Sequence, residues 1–199
     1  FRGIFDGRGH TIRRIDLGDH GLFNSVGKAG VIKNLAVKDV KTTKATAFVH
    51  GEFHGATIDN VYVEADTESA IGVTGSNAVI KNSVFVLKSG KRVVGTAGAW
   101  GDRQTTFTNL AIIVGTPTVG TLGNNAESFA GLIGTHYVAG SYETFKQTNN
   151  ITEAATANDM LTLLGANNAI SSWNSDYIAY DAANNAITFN GTAVLTAAE

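Results

Sequence analysis

Hydrophobic and polar positions alternate along much of the chain, and the alternation breaks repeatedly at an asparagine. Residues 32–37 read I-K-N-L-A-V, and related segments begin at Ile58, Ile80 and Phe107. The asparagines at positions 34, 60, 82 and 109 are separated by 26, 22 and 27 residues. Periods of this size are typical of solenoids, in which each repeat buries its apolar face only against its neighbours.

The position of the break predicts which kind of solenoid forms. Apolar side chains before and after the asparagine can both face inward only if the backbone bends there, because side chains alternate along a strand. Asparagine adopts the left-handed conformation more readily than most residues. Stacked at about 4.8 Å, equivalent asparagines can hydrogen-bond from one repeat to the next. We therefore predict an all-β solenoid, a right-handed parallel β-helix, with an inward ladder of Asn34, Asn60, Asn82 and Asn109.

A second landmark supports this alignment. Phe23, Val49 and Ile71 each precede the asparagine of their repeat by eleven residues, which predicts at least two strands in each coil. In the fourth repeat this position falls on Gly98, so we expect a short insertion near residues 96–101. A weaker copy places Arg14 where the asparagine stands in the other repeats, giving about five coils. An antiparallel β-sandwich with coincidental asparagine spacing is the alternative.

The pattern changes after residue 135. Tyr142 and Phe145 predict one further strand, and Thr156 begins a short helix that ends near Gly165. Residues 177–180 and 186–189 predict a β-hairpin. We therefore divide the chain into a parallel β-helix, residues 1–135, and a small C-terminal α/β cap, residues 136–199, that covers the open end of the helix. A separate small binding domain is the competing interpretation.

Composition narrows the possible partners. The chain has 199 residues, 43% of them hydrophobic, a net charge of −2 and no cysteine. Without a basic run, nucleic acid and anionic membrane surfaces are not expected partners. No apolar stretch approaches the roughly 18 residues of a membrane span, so we expect no membrane insertion. The chain opens at Phe1 in the middle of a motif, and we expect it to be part of a longer protein.

Several motifs carry a family resemblance. Residues 1–12 read F-R-G-I-F-D-G-R-G-H-T-I, followed by G-L-F at 21–23 and V-I-K-N-L at 31–35. This pattern resembles the GLUG-motif repeats of bacterial surface proteins, and residues 131–134, G-L-I-G, match the motif in full. The resemblance covers about residues 1–135 and implies a secreted, adhesin-like protein at the bacterial cell surface. Its motifs are structural, so they support the fold more than the function.

Two groups of side chains contain residue types that could form a catalytic or metal site. Glu64, Asp66 and Glu68 would share one side of an extended segment, as a carbohydrate-active enzyme requires of its carboxylates, but we expect a solvated acidic loop. The segment 50–54, with its two histidines and one glutamate, could present three metal ligands. Its flanking glycines indicate a turn instead. We therefore predict no catalytic residue, no metal site and no cofactor.

The outward positions of the repeats become apolar along the solenoid. The fourth residue after each asparagine is Lys38, Glu64, Val86 and Ile113 in turn. Such a face is suited to packing against a partner, another copy or the remainder of the parent chain.

The best binding candidate is the predicted insertion. Trp100 lies there beside Asp102 and Arg103, and we assign these three residues to a ligand-binding site, although Trp100 could equally plug the core. The predicted function is a non-catalytic extracellular structural and adhesion module that binds a glycan or host surface, or the remainder of its parent protein. The alternatives are a receptor-binding segment of a phage tail fibre or spike, located on the virion, and a polysaccharide lyase or hydrolase.

Overall fold

A computed structural model describes residues 1–75, 77–90, 92–97, 105–117, 121–122 and 139–197. These residues form twelve strands, two α-helices and one 3₁₀ helix, Ala169–Ser172. The strands of the first part are β1 Ile4–Arg13, β2 Val31–Val40, β3 Thr46–Phe53, β4 Thr57–Ala65, β5 Ser69–Thr74, β6 Val79–Leu87, β7 Arg92–Ala97 and β8 Thr106–Val114. They are followed by α1 Ala139–Thr148, β9 Ile151–Ala154, α2 Ala157–Ala166, β10 Ile178–Asp181, β11 Ala186–Phe189 and β12 Thr192–Leu195.

The strands wind as a solenoid with two parallel sheets. One sheet has the order β1-β2-β4-β6-β8-β9, and the other has the order β3-β5-β7. Successive strands of each sheet pair in parallel, so the chain advances by one strand spacing with each turn. The predicted parallel β-solenoid is confirmed. It makes about four turns between β1 and β8, rather than the five coils that we expected.

Left-handed backbone at the asparagines explains the broken alternation. Asn34, Asn60, Asn82 and Asn109 have φ values of 56°, 60°, 49° and 56°. Leu35 and Val37 therefore face the same interior as Ile32, and all three are buried in the solenoid core. The same bend occurs at Asn150, φ 54°, immediately before β9. Asparagine tolerates this region because its short polar side chain can bond locally.

Two of our local predictions are wrong. Gly9 rather than Arg14 aligns with Asn34, because His10 pairs with Leu35 across β1 and β2. Arg14 does have a positive φ of 56°. However, it follows Arg13, which pairs with Lys38, so Arg14 lies further along the coil than the position of Asn34. The expected strand at Tyr142 and Phe145 is the helix α1, whose aromatic side chains pack against the solenoid core. The added strand is β9, which follows Asn150.

The C-terminal residues after β9 form a layer on the outside of the long sheet, not over the open end of the helix as we expected of the cap. Helix α2, the 3₁₀ helix and the antiparallel sheet β10-β11-β12 bury a second apolar cluster against that face. The sheet contributes its outward residues Ala36, Tyr62, Val84 and Ala111. We call residues 155–197 the lateral layer. The apolar outward face predicted from the sequence is therefore covered by this chain's own C-terminal segment.

Local signals located one helix and one hairpin of the lateral layer correctly. Thr156 caps α2, and its hydroxyl accepts a hydrogen bond from the backbone N–H of Asp159 at 3.1 Å. Strands β10 and β11 pair as the predicted hairpin, and β12 follows a turn at Asn190 and Gly191. Among the described residues, no helix is long and apolar enough to cross a bilayer.

Candidate functional site

The predicted ligand site at Trp100, Asp102 and Arg103 lies outside the described residues. The strands on either side of it are described. Val94 pairs with Ile71, so the landmark of the fourth repeat lies at Val94 and the insertion follows it.

The asparagine ladder runs through the long sheet as a series of side-chain hydrogen bonds. Asn60 Nδ2 donates to Asn34 Oδ1 at 2.9 Å, and Asn109 Nδ2 donates to Asn82 Oδ1 at 2.7 Å. Asn82 instead donates to Asp59 Oδ1 at 2.8 Å. Asn60 Oδ1 accepts a hydrogen bond from Ser175 Oγ of the lateral layer at 2.5 Å. The bond to Ser175 places the Asn60 side chain toward the lateral layer, so the inward orientation that we predicted is wrong for this residue. These side chains hold the fold together.

Both ends of the ladder are also bonded. Asn150 Nδ2 donates to Asn109 Oδ1 at 3.1 Å. At the other end, Asn34 Nδ2 donates to Asp6 Oδ1 at 3.0 Å. The backbone N–H of Arg8, the Asn34 amide and Lys33 stabilise the Asp6 carboxylate and hold its pKa below the usual value. The amide donors all point toward the N-terminal end, where a carboxylate accepts the last of them.

The two histidines of segment 50–54 contact different partners. His50 Nδ1 lies 3.1 Å from Thr46 Oγ1, and His54 Nε2 lies 3.1 Å from Glu52 Oε2. Within the described part of the chain, no group of three or more potential ligands is arranged to hold a metal ion.

The expectation of a solvated acidic loop is wrong for Glu64. Its side chain is only 4% exposed and is flanked by Lys38 at 3.2 Å and Lys88 at 2.9 Å. The Tyr62 hydroxyl donates to Glu64 Oε2 at 3.0 Å. Asp66 is exposed and accepts a hydrogen bond from Ser89 Oγ, while Glu68 lies 3.5 Å from Arg92. The three carboxylates therefore have separate environments.

The Glu64 cluster also fastens the lateral layer to the sheet. Lys38 Nζ donates to the carbonyl oxygen of Val194 at 2.6 Å, and the Tyr62 hydroxyl lies 3.0 Å from the same oxygen. Burying a charge is costly unless it is paired and hydrogen-bonded. The Lys38 ammonium satisfies this condition through one carboxylate and one carbonyl.

The cluster keeps Glu64 ionised. Burial alone would raise the pKa of Glu64, but the ammonium groups of Lys88 and Lys38 and the hydroxyl of Tyr62 outweigh it and hold the pKa below the ordinary value. At neutral pH this side chain is therefore an acceptor without a proton to donate.

A second buried carboxylate lies at the end of the solenoid. The Tyr142 hydroxyl donates to Glu153 at 2.5 Å, and Lys146 lies 3.2 Å from it. Burial raises the pKa of Glu153 against the opposing effect of these two partners. This group fastens α1 to β9.

Two adjoining cavities border the Glu64 cluster. One, of about 270 Å³, lies between the sheet and the lateral layer. The other, of about 280 Å³, lies beside the ends of β2 and β4. Both are lined by Glu64 and Lys88, and together we call them the groove. The lining residues that belong to the sheet come from the carboxyl ends of β2, β4, β6 and β8, which meet at one edge because the strands are parallel.

A signal for this cluster was present in the sequence. Lys38 and Glu64 stand four residues after the asparagines of adjacent repeats, and the next two residues at this position are apolar. Opposite charges side by side on an otherwise apolar face indicate a buried ion pair. The position of Val194 over the pair could not be read locally.

Comparisons of the chain with protein-family models, curated proteins and solved structures found no significant match.

Proposed function

We propose that this chain is a non-catalytic structural and adhesion module of an extracellular protein, and that it binds a glycan. The observation that carries the proposal is the state of Glu64. A glycosidic general acid needs a raised pKa so that it holds a proton at working pH. Glu64 borders both cavities of the groove, and its pKa is lowered by two lysines. An ionised carboxylate cannot donate the proton that a general acid supplies, but it can accept a hydrogen bond from a ligand.

Two further features support a structural role. The asparagines of the ladder are bonded to one another or to neighbouring residues, and the outer face of the long sheet is occupied by the lateral layer. Loops and edges remain open to ligand contact, and binding residues are commonly found there on rigid scaffolds. The resemblance to GLUG-motif repeats of bacterial surface proteins supports the extracellular and adhesive part of the proposal.

The test is a glycan array on the purified chain, combined with turnover assays on pectin and alginate. We expect binding to one or more glycans without release of reducing or unsaturated sugar. The Trp100→Ala variant measures how much the predicted insertion contributes to that binding. Release of sugar that disappears in Glu64→Gln or Asp66→Asn would replace the adhesion proposal with a carbohydrate-active enzyme.

A further inference from the structure

The groove combines a buried charge with accessible space. Glu64 is only 3% exposed, and it still borders both cavities. Lys88 also borders both, and its side chain is 53% exposed. The Glu64 carboxylate fixes the position of the Lys88 ammonium at 2.9 Å, so this donor is held in place before any ligand arrives. Such preorganisation lowers the entropic cost of binding.

One half of the groove, which we call the charged half, is lined mostly by charged side chains. Its lining includes Asp39, Lys41 and Asp66, which are exposed, together with Glu64 and Lys88. Lys38 lies behind Glu64 as its second cationic partner. In this neighbourhood three carboxylates are thus matched by three ammonium groups. The balance gives neither anions nor cations a strong electrostatic advantage.

The other half of the groove is largely apolar. The sheet contributes Val86 and Ile113, and the lateral layer contributes Ala157 and Leu195. Thr156 adds a hydroxyl at the rim, and Ala155 beside it is exposed. A ligand in this half would have an apolar surface against these side chains, while its polar groups reach Lys88 and Glu64.

We propose that the groove binds a neutral sugar unit of an oligosaccharide. A sugar hydroxyl can donate to a carboxylate and accept from an ammonium at the same time, so it suits the oppositely charged groups of the charged half. The C–H face of the ring supplies the apolar surface that the other half requires. Small-molecule sites have this composition, an apolar wall with a few fixed polar groups. The inference rests on the proposed function and names the ligand class and the place of binding.

The experiment is isothermal titration of the full chain with matched hexasaccharides: neutral maltohexaose, cellohexaose, xylohexaose and mannohexaose, anionic hexagalacturonate, and cationic chitosan hexamer. We expect one or more neutral sugars to bind more tightly than both charged ones. Lys88→Met should weaken this binding at least tenfold, because it removes the fixed donor. Ala155→Trp should do the same by filling the apolar half. Lys28→Met, at an exposed lysine away from the groove, is the control and should bind as the parent does.

Every outcome decides the inference. Circular dichroism first establishes that each variant keeps its fold. Because Lys88→Met removes a charged donor and Ala155→Trp fills space, either variant that remains folded suffices for the test. Preference for hexagalacturonate or for chitosan hexamer overturns the neutral-sugar assignment. Binding that survives both groove substitutions but is lost in Trp100→Ala overturns the groove and leaves the proposed function standing. Absence of binding to the hexasaccharides overturns the inference, and absence of binding on the glycan array overturns the proposed function.

Discussion

Substitution of Asn60 by alanine tests the ladder where it meets the lateral layer. The Asn60 side chain is 6% exposed and makes two hydrogen bonds, one to Asn34 and one from Ser175. Its backbone is left-handed, with φ 60°. Alanine would remove both bonds and would place a side chain with no local hydrogen bond in a conformation that asparagine tolerates better.

The expected cost follows from these contributions. A typical intramolecular hydrogen bond contributes about 0.5–1.5 kcal/mol, and a buried partner left unpaired costs somewhat more. The left-handed backbone costs an alanine about 1 kcal/mol. We therefore expect Asn60→Ala to lower the free energy of unfolding by about 2–4 kcal/mol, a large part of the roughly 5–15 kcal/mol that stabilises a typical domain.

The assay is urea denaturation followed by circular dichroism, with Asn77→Ala as the matched control. Asn77 also has a left-handed backbone, φ 56°, but it is exposed. The control should cost only the backbone part, about 1 kcal/mol. Equal losses in the two variants would refute the ladder as a source of stability, because the side-chain bonds of Asn60 would then contribute nothing measurable.

Two further substitutions test the Glu64 cluster and the packing of the lateral layer. Glu64→Gln leaves Lys38 without its carboxylate and should cost about 3 kcal/mol at pH 7. Because the pKa of Glu64 is lowered in the folded state, its contribution to stability is present above about pH 4.5 and is lost as the pH falls through the folded pKa. The melting temperature of the variant should therefore fall less between pH 6 and pH 3 than that of the parent. An equal fall in both proteins would contradict this. Gly9→Val would bring a Cβ within 2.5 Å of the Tyr177 ring. In thermal unfolding, Gly9→Val should lower the free energy of unfolding by about 1–3 kcal/mol more than Gly18→Val does. Gly18 also has a positive φ but has open space around it. Equal losses in the two variants would mean that Tyr177 does not pack over β1.

The features that could be predicted from the sequence are those with a local cause. The solenoid bends where the backbone is left-handed, and asparagine adopts this conformation more readily than most residues. The repeated asparagines therefore located the corners of the solenoid. Thr156 gave the start of α2 for a similar reason, because a capping side chain bonds within its own turn. The error at Arg14 arose because this residue also has a positive φ, but at a different corner of the coil.

The features that could not be predicted depend on contacts between distant parts of the chain. Tyr142 and Phe145 suit a strand as well as a helix, and their packing on the end of the solenoid decided the outcome. Lys38 and Glu64 were recognisable as neighbours, yet the third member of their contact, the carbonyl of Val194, comes from 156 residues further along. The apolar half of the groove exists only because the lateral layer folds back over the sheet.

The most direct test of saccharide binding in the groove is a nuclear magnetic resonance titration of the isotopically labelled full chain with the tightest-binding neutral hexasaccharide. We predict that the largest chemical-shift changes fall on the backbone amides of Lys88, Thr156 and Ala157, on opposite walls of the groove. The amide of Lys28 should remain unchanged. Shift changes confined to residues outside the groove would contradict the account.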